Sequence, residues 1–188
     1  MSIAQRAITA AEFERMTFDR PTELVCGELV EQTMPTIQHG RVCALITAFL
    51  TMWARQAQSG VVFSHDSFVL TDREPDSVRG PDCAYIRWEK LPGGKMPVGG
   101  TLTIPADLVI EVISPSDRWT NVLDKVLEYL RSGVTEVWVI DPEQRSVTAH
   151  RSDAASIHFD GDDELTRPDL LPGFSCRVSE LFADLATT

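Results

Sequence analysis

The feature that most constrains the fold is the segment 107–113, whose sequence DLVIEVI is apolar at nearly every position. A run of this kind predicts a strand at the centre of a β-sheet, covered on both faces. Glu111 lies in its middle, between Ile110 and Val112. An ionised carboxylate removed from water is costly unless a positive charge pairs with it, so Glu111 predicts a cationic partner. The alternatives are a structural salt bridge and a glutamate that faces solvent from an edge strand; a central strand disfavours the second.

The patterns around this strand predict an α/β (α+β) domain with one mixed sheet flanked by helices and an N-terminal hairpin. Thr9 and Glu12 have the spacing of a capping box, and two β-prone runs flank Cys26 and Gly27 as in a hairpin. Gly60 is expected to end a long helix. The predicted helices are 10–16, 38–58, a helix ending near 131, and 178–183; the predicted strands are 23–25, 28–32, 61–70, 81–86, 107–113, 134–141, 146–151 and 156–160, with a loop over 71–80.

Length and composition place the chain among ordinary globular proteins. Its 188 residues fit one domain, 1–188, and no repeat or linker divides them. No segment approaches the roughly 18 consecutive apolar residues of a membrane span, and the first residues lack a secretory pattern, so we expect a cytoplasmic protein without a membrane partner. The four cysteines form no CxxC pair and no zinc-type spacing, which predicts reduced, buried thiols.

The charge balance restricts which partners the chain can bind. There are 17 Lys and Arg residues against 28 Asp and Glu, a net charge of −11. Proteins that bind nucleic acid mainly through phosphate contacts usually present a basic face. A local basic strip or bound metal ions can still outweigh a distant acidic surface. The balance therefore argues against tight, non-specific duplex binding without a metal.

Asp82 is the second carboxylate of interest, because it opens a strand directly after Pro81. Functional groups commonly sit where an element begins or ends. An isolated Pro-Asp is more often a turn. Together with Glu111, however, Asp82 would supply two carboxylates from neighbouring strands, which is the usual protein contribution to a magnesium site.

Lys125 is the candidate cation. It lies on the helix after Glu111, at the flank of an apolar arc and one turn before Tyr129. A lysine in this position can lay its stem along apolar surface and direct its amine to the end of the sheet, or extend it into solvent. The predicted arc consists of Val122, Leu123, Val126, Leu127 and Leu130.

These residues together resemble the PD-(D/E)xK, restriction-endonuclease-like superfamily. Within it, the chain is similar to a bacterial family of uncharacterised restriction-endonuclease-like proteins formerly classed as a domain of unknown function. The resemblance rests on motifs spread over most of the chain: ELVCGELVE, His39 at a helix start, Pro81-Asp82, DLVIEVISPSDR, Lys125 with Tyr129, GVTEVWVIDP and LPGF.

The resemblance implies hydrolysis of nucleic-acid phosphodiesters, most often of DNA, by a homodimer. Asp82 and Glu111 would hold Mg²⁺ or Mn²⁺ and Lys125 would act on the attacking water. Glu23 and His39 also match family positions; Glu23 could add a carboxylate or be an ordinary strand residue, and His39 could contact substrate or simply begin a helix. The alternative is a catalytically inactive member of the fold that serves as a binding or regulatory module.

Two positions depart from the pattern. The superfamily lysine lies two residues after the glutamate, where this chain has Ile113. The family supplies the amine from the next helix, which carries the role to Lys125. Asn121 stands where family members often have Asp, and the missing charge could weaken metal binding or an outer contact.

Overall fold

The computed structural model describes residues 6–64, 67–183 and 185. Its α-helices are α1 (Ala10–Phe13), α2 (Ile37–Ala57) and α3 (Trp119–Arg131), and 3-10 turns lie at Trp88–Lys90, Pro92–Gly94 and Val178–Phe182. The strands are β1 (Thr22–Val25), β2 (Glu28–Glu31), β3 (Gly60–Ser64), β4 (Val69–Asp72), β5 (Ser77–Arg79), β6 (Cys83–Arg87), β7 (Leu108–Val112), β8 (Glu136–Asp141), β9 (Ser146–His150), β10 (Ile157–Asp160), β11 (Glu164–Leu165) and β12 (Cys176–Arg177). No helix in these described ranges combines the length and apolar character needed to cross a membrane.

A six-stranded sheet in the order β10-β9-β8-β7-β6-β3 forms the centre of the molecule. Strand β7 pairs in parallel with β8 and antiparallel with β6, and each of its five residues is buried. The apolar run around Glu111 is therefore a central strand, as predicted. The mixed sheet with flanking helices confirms the predicted α+β fold class.

The two long helices cover opposite faces of this sheet. On one face, α2 packs through Val42, Ile46 and Leu50 against a core that includes Leu108 and Ile110. On the other, α3 packs through Val122, Val126 and Tyr129 against a core that includes Val109 and Val137. Alternate residues of β7 thus point to different helices, and Glu111 shares the α3 face with Val109.

The α3 arc predicted from the sequence is partly wrong. Leu123 and Leu127 are 43% and 52% exposed, whereas Lys125 and Tyr129 turn inward. Compared with the prediction, α3 turns the side that carries Lys125 and Tyr129 toward the interior. There the Lys125 amine donates to Glu23 and the Tyr129 hydroxyl donates to Glu111. The two leucines therefore belong to a separate, outward stripe.

The N-terminal hairpin forms as predicted and joins a second sheet. Cys26 and Gly27 take positive φ values of 50° and 76° in the turn between β1 and β2, as two-residue hairpin turns require. The four-stranded sheet has the order β2-β1-β5-β4. Its strand β5 corrects the prediction of a loop over 71–80, and the predicted strand 61–70 is really β3 and β4, which belong to different sheets.

Smaller differences concern boundaries and caps. Gln58, and not Gly60, ends α2 in the left-handed conformation with φ 51°; Gly60 begins β3. The capping box of Thr9 and Glu12 is present, but α1 spans a single turn. The last predicted helix is a 3-10 turn, and the short pair β11 and β12 was not predicted. Cys26 is exposed, so the expectation of buried thiols fails there, because it lies at the tip of the hairpin.

Candidate active site

A cleft of about 570 Å³ opens where the hairpin, the start of β6, the end of β7 and the first turns of α2 and α3 meet. The candidate residues that line it are Glu23, His39, Asp82, Glu111, Asn121 and Lys125. Tyr129 lies behind Glu111, fully buried. The structure therefore brings together every candidate site residue selected from the sequence, although they span 106 positions between Glu23 and Tyr129.

Asp82 is held at the mouth of the cleft by two hydrogen bonds to one of its oxygens. The backbone N–H of Val112 donates to Asp82 Oδ2 at 2.7 Å, and His39 Nε2 lies 3.2 Å from the same oxygen. The first bond fixes Asp82 to the end of β7, directly beside Glu111. Asp82 also lines the cleft.

Glu111 is buried and contacts α3 through both of its oxygens. The Tyr129 hydroxyl donates to Oε1 at 2.7 Å, and Lys125 Nζ lies 3.5 Å from Oε2. Burial raises the pKa of Glu111 to about 7, because Lys125 and the Tyr129 hydrogen bond only partly offset the desolvation and the repulsion from Asp82 and Glu23. The carboxyl group therefore lacks a full counter-charge.

Lys125 bridges two carboxylates. Its amine is 3.0 Å from Glu23 Oε1 as well as 3.5 Å from Glu111. Burial alone would lower the pKa of Lys125, but the charges of Glu111 and Glu23 outweigh it and hold the pKa above its usual value. The amine is thus a cation inside the cleft, which is one of the two orientations that its position on the flank of α3 allowed.

Glu23 is fixed from behind by residues that the sequence did not indicate. Arg79 Nη1 donates to Glu23 Oε2 at 3.0 Å, and the Gly80 N–H donates to Oε1 at 3.1 Å. Arg79 in turn contacts the carboxylate of Glu128. Arg79 and Glu128 are the missed members of the site, because Arg79 lies in a polar stretch that gave no strand signal and Glu128 is an ordinary helix residue in sequence.

His39 stands in the first turn of α2, whose N-cap is the Thr36 side chain. Burial lowers the pKa of His39, but the hydrogen bond and the charge of Asp82 raise it by more than burial lowers it. The net shift of the His39 pKa is therefore upward. Asn121 is exposed at the rim of the cleft. Ile113, where the superfamily lysine would stand, instead packs among the apolar residues under α3.

The donor set fits a hard divalent cation. Asp82, Glu111 and Glu23 offer only carboxylate oxygens, the ligands that Mg²⁺ and Mn²⁺ prefer. Burial is the main cause of the raised pKa of Glu111, and repulsion from Asp82 and Glu23 adds to it. Asp82 and Glu111 are the residues that would hold such an ion, whereas Glu23 contacts the Lys125 amine at 3.0 Å.

A mixed sheet with two carboxylates at one end, approached by a lysine, places the chain in the restriction-endonuclease-like class. Residues 10–179 match the Uma2 family, described as "Putative restriction endonuclease", and the chain belongs to this family. The fold is similar to the crystal structure of "a putative nuclease belonging to DUF820" from Anabaena variabilis ATCC 29413, with a TM-score of 0.80 and 22% identity. The similarity covers 94% of this chain and 98% of that one. No curated protein matches the sequence.

Proposed function

We propose that the protein is a metal-dependent endonuclease that hydrolyses phosphodiester bonds of DNA. The observation that carries the proposal is the convergence of Asp82, Glu111 and Lys125 in one cleft, with the Lys125 amine 3.5 Å from Glu111. Membership of the restriction-endonuclease family and the fold shared with a nuclease support the same class of reaction.

Each residue has a definite task in this reaction. Asp82 and Glu111 bind Mg²⁺ or Mn²⁺, and Glu23 adds negative charge to the same end of the cleft. The bound ion supplies Lewis-acid stabilisation of the phosphoryl oxygens and makes water more acidic. Lys125 donates hydrogen bonds to the attacking water and to the phosphate oxygens on which negative charge develops. Tyr129 and Val112 keep the two carboxylates oriented.

The charge of the cleft supports metal dependence. The acidic side chains that line it outnumber the basic ones: Asp19, Glu23, Asp82, Glu111 and Asp117 against Arg20 and Lys125. A phosphodiester entering this cleft is repelled unless cations offset the carboxylates. Metal ions are therefore needed for binding the substrate as well as for the chemistry.

The proposal is tested by incubating supercoiled plasmid and single-stranded DNA with the protein and Mn²⁺ or Mg²⁺. We expect nicking or linearisation that chelation abolishes. Asp82→Asn, Glu111→Gln and Lys125→Met should each lower the rate by at least about 100-fold, as removal of one catalytic group commonly does. Asp124→Asn is the matched control, because Asp124 is exposed on α3 outside the cleft.

The alternative function, a binding module without catalysis, makes a different prediction. Such a protein would bind Mn²⁺ through Asp82 and Glu111, detectable by calorimetry, and cleave neither DNA substrate. Equal cleavage rates for the Asp82→Asn variant and the wild type would contradict the proposed site itself.

A further inference from the structure

A second cluster of potential metal ligands lies beside the carboxylate site and differs from it in chemistry. His39, Cys43 and Asp82 each present one donor atom, and the three atoms lie within 4.8 Å of one another. His39 Nε2 is 3.2 Å from Asp82 Oδ2 and 3.9 Å from Cys43 Sγ. We propose that these three residues form a binding site for a thiophilic divalent cation of the Zn²⁺ or Co²⁺ type, which shares Asp82 with the carboxylate site.

The positions of the ligands follow from the fold. His39 and Cys43 are four residues apart on α2, so both side chains point to the same side of the helix. Asp82 reaches them from the start of β6. Zn–N and Zn–S bonds of about 2.0 and 2.3 Å in a tetrahedron separate neighbouring donors by roughly 3.3–3.6 Å. The separations of 3.2 and 3.9 Å from His39 Nε2 lie just below and just above this range. Side-chain rotation can adjust the third separation, between the Asp82 carboxylate and Cys43 Sγ.

The ligand types select the class of metal. A thiolate and an imidazole favour Zn²⁺ or Co²⁺ over Mg²⁺, Mn²⁺ or Ca²⁺, which prefer oxygen. On binding, the Cys43 thiol loses its proton to solvent and becomes a thiolate, the imidazolium form of His39 likewise releases one proton and binds as the neutral imidazole, and Asp82 is a carboxylate. Two negative ligands balance the dication, so the complex adds no net charge to a buried position.

Burial gives the site a closed side and an open side. Cys43 is fully buried, whereas His39, which is 7% exposed, and Asp82 border the cleft. An ion can enter past Asp82 and reach a thiol that bulk water does not contact. The Val112 N–H, which donates to Asp82 Oδ2, orients the carboxylate as outer contacts do in metal sites.

Sharing Asp82 has a functional consequence, which rests on the proposed nuclease function. An ion held by His39, Cys43 and Asp82 withdraws Asp82 from the pair that binds Mg²⁺ or Mn²⁺. Zn²⁺ should therefore inhibit Mn²⁺-dependent cleavage in wild-type protein, and Cys43→Ala should relieve this inhibition.

The site itself is tested by titrating reduced, metal-free protein with Co²⁺ and recording absorption. Sulfur coordination produces a near-ultraviolet thiolate-to-cobalt band that oxygen ligands do not. The titration uses a Cys26→Ser background, because Cys26 is an exposed thiol. We expect a band that saturates at one equivalent and disappears when Zn²⁺ is added. Cys43→Ala and His39→Gln should abolish it, and Cys83→Ala should retain it, since Cys83 is the neighbouring buried thiol.

The outcomes separate this inference from the nuclease proposal. Circular dichroism and a melting curve identify any variant that does not fold. If Cys43→Ala does not fold, His39→Gln is the variant that decides the test. A protein without the band, or with a band that survives in folded Cys43→Ala, refutes the thiophilic site even if it cleaves DNA. A protein that shows the band and cleaves nothing refutes only the nuclease function.

Discussion

Glu111 experiences two opposing effects, and the balance between them sets how the site responds to pH. Burial in β7 favours the neutral acid, while Lys125 and Tyr129 favour the carboxylate. With a pKa of about 7, Glu111 changes its charge within the physiological range. Metal binding requires the carboxylate, so the affinity for Mn²⁺ should increase as pH rises through this value.

Glu111→Gln should change the pH dependence of stability in a direction that can be calculated. The folded pKa of about 7 exceeds the reference value of 4.5, so the stabilising contribution of Glu111 is present below 4.5 and is lost as pH rises toward 7. As pH rises from 4.5 to 8, the free energy of unfolding of the Glu111→Gln variant should therefore increase relative to that of the wild type, by about 3 kcal/mol at most. Urea denaturation at several pH values measures the difference.

Glu128→Gln is the control with the opposite sign. Burial raises the pKa of Glu128, but its hydrogen bonds to Arg79 and Thr71 lower the pKa by more than burial raises it. The net shift of the Glu128 pKa is therefore downward. Glu128 therefore stabilises the fold above its unfolded pKa, and its substitution should cost more at neutral than at acid pH. If the Glu111→Gln and wild-type curves run parallel, the charge balance described for Glu111 is incorrect.

Site residues could be predicted from the sequence where their chemistry conflicts with that of their neighbours in the chain. Residues whose role depends on partners distant in the sequence could not be predicted in this way. Glu111 could be identified because a carboxylate inside an apolar strand is costly without a counter-charge. Arg79 gave no such signal, since it lies in the polar stretch 71–80 and its partners are Glu23 and Glu128, which are distant in sequence. Cys43 appeared to be an ordinary buried thiol until α2 placed it near His39 and Asp82.

At the scale of elements, Gly60 shows how closely β3 approaches its neighbour. It begins β3 and pairs with Arg87 of β6. A Cβ at this position would lie 2.3 Å from the Ile86 carbonyl oxygen and 2.6 Å from Tyr85 Cε2. Because the nearest atom belongs to the backbone of a central strand, the contact cannot be relieved by a side-chain rotation. Since β6 follows Asp82 directly, this packing also supports the site.

Two glycine substitutions test this interpretation as a pair. Gly60→Ala should destabilise the protein by about 1–3 kcal/mol or more, the usual cost of overpacking. Gly40→Ala should stabilise it by about 0.5–1 kcal/mol, because Gly40 lies within α2 and alanine is the better helix former; a Cβ there meets no atom within 4 Å. Melting curves measure both. Equal effects of the two substitutions would contradict the close approach of β3.

The elements that the sequence predicted well are those buried on both faces. Strands β7 and β8 are apolar runs because helices cover the sheet on each side. Strand β5 was predicted as loop because its sequence, SVR, buries a serine and an arginine. Arg79 can be buried there only because two carboxylates pair with it. Local patterns do not contain this information, so β5 could not be derived from them.

For the whole molecule, charge determines how a nucleic acid could approach. The net charge is −11, and the cleft adds a local excess of carboxylates. Both repel a polyanion, and Lys125 is already engaged by Glu23 and Glu111. Under the proposed function, divalent cations held by Asp82 and Glu111 would offset these charges at the end of β7. With the proposed function we therefore expect weak non-specific affinity for duplex DNA in the absence of a divalent cation.

The outward face of α3 is the surface on which we expect a second copy of the chain to bind. Trp119, Leu123 and Leu127 are 51%, 43% and 52% exposed and follow one another at intervals of four, with Arg131 continuing the row. An antiparallel pairing of two such helices places Leu123 against Leu127 and Trp119 against Arg131, which allows a cation–π contact. The stripe is therefore self-complementary, as a two-fold interface must be.

Sedimentation at tens of micromolar protein should show a homodimer that Leu127→Glu converts to a monomer. The substitution places a carboxylate in an apolar contact twice, once from each copy, while the half-exposed side chain contributes little to the fold of the single chain. Met52→Glu is the matched control, since Met52 is 71% exposed on α2. A wild-type monomer at this concentration, or a dimer unaffected by Leu127→Glu, would exclude α3 as the interface. Because Lys125 lies on the same helix, a dimer formed here also fixes the distance between two clefts, and the Leu127→Glu monomer should nick one strand of a plasmid without linearising it.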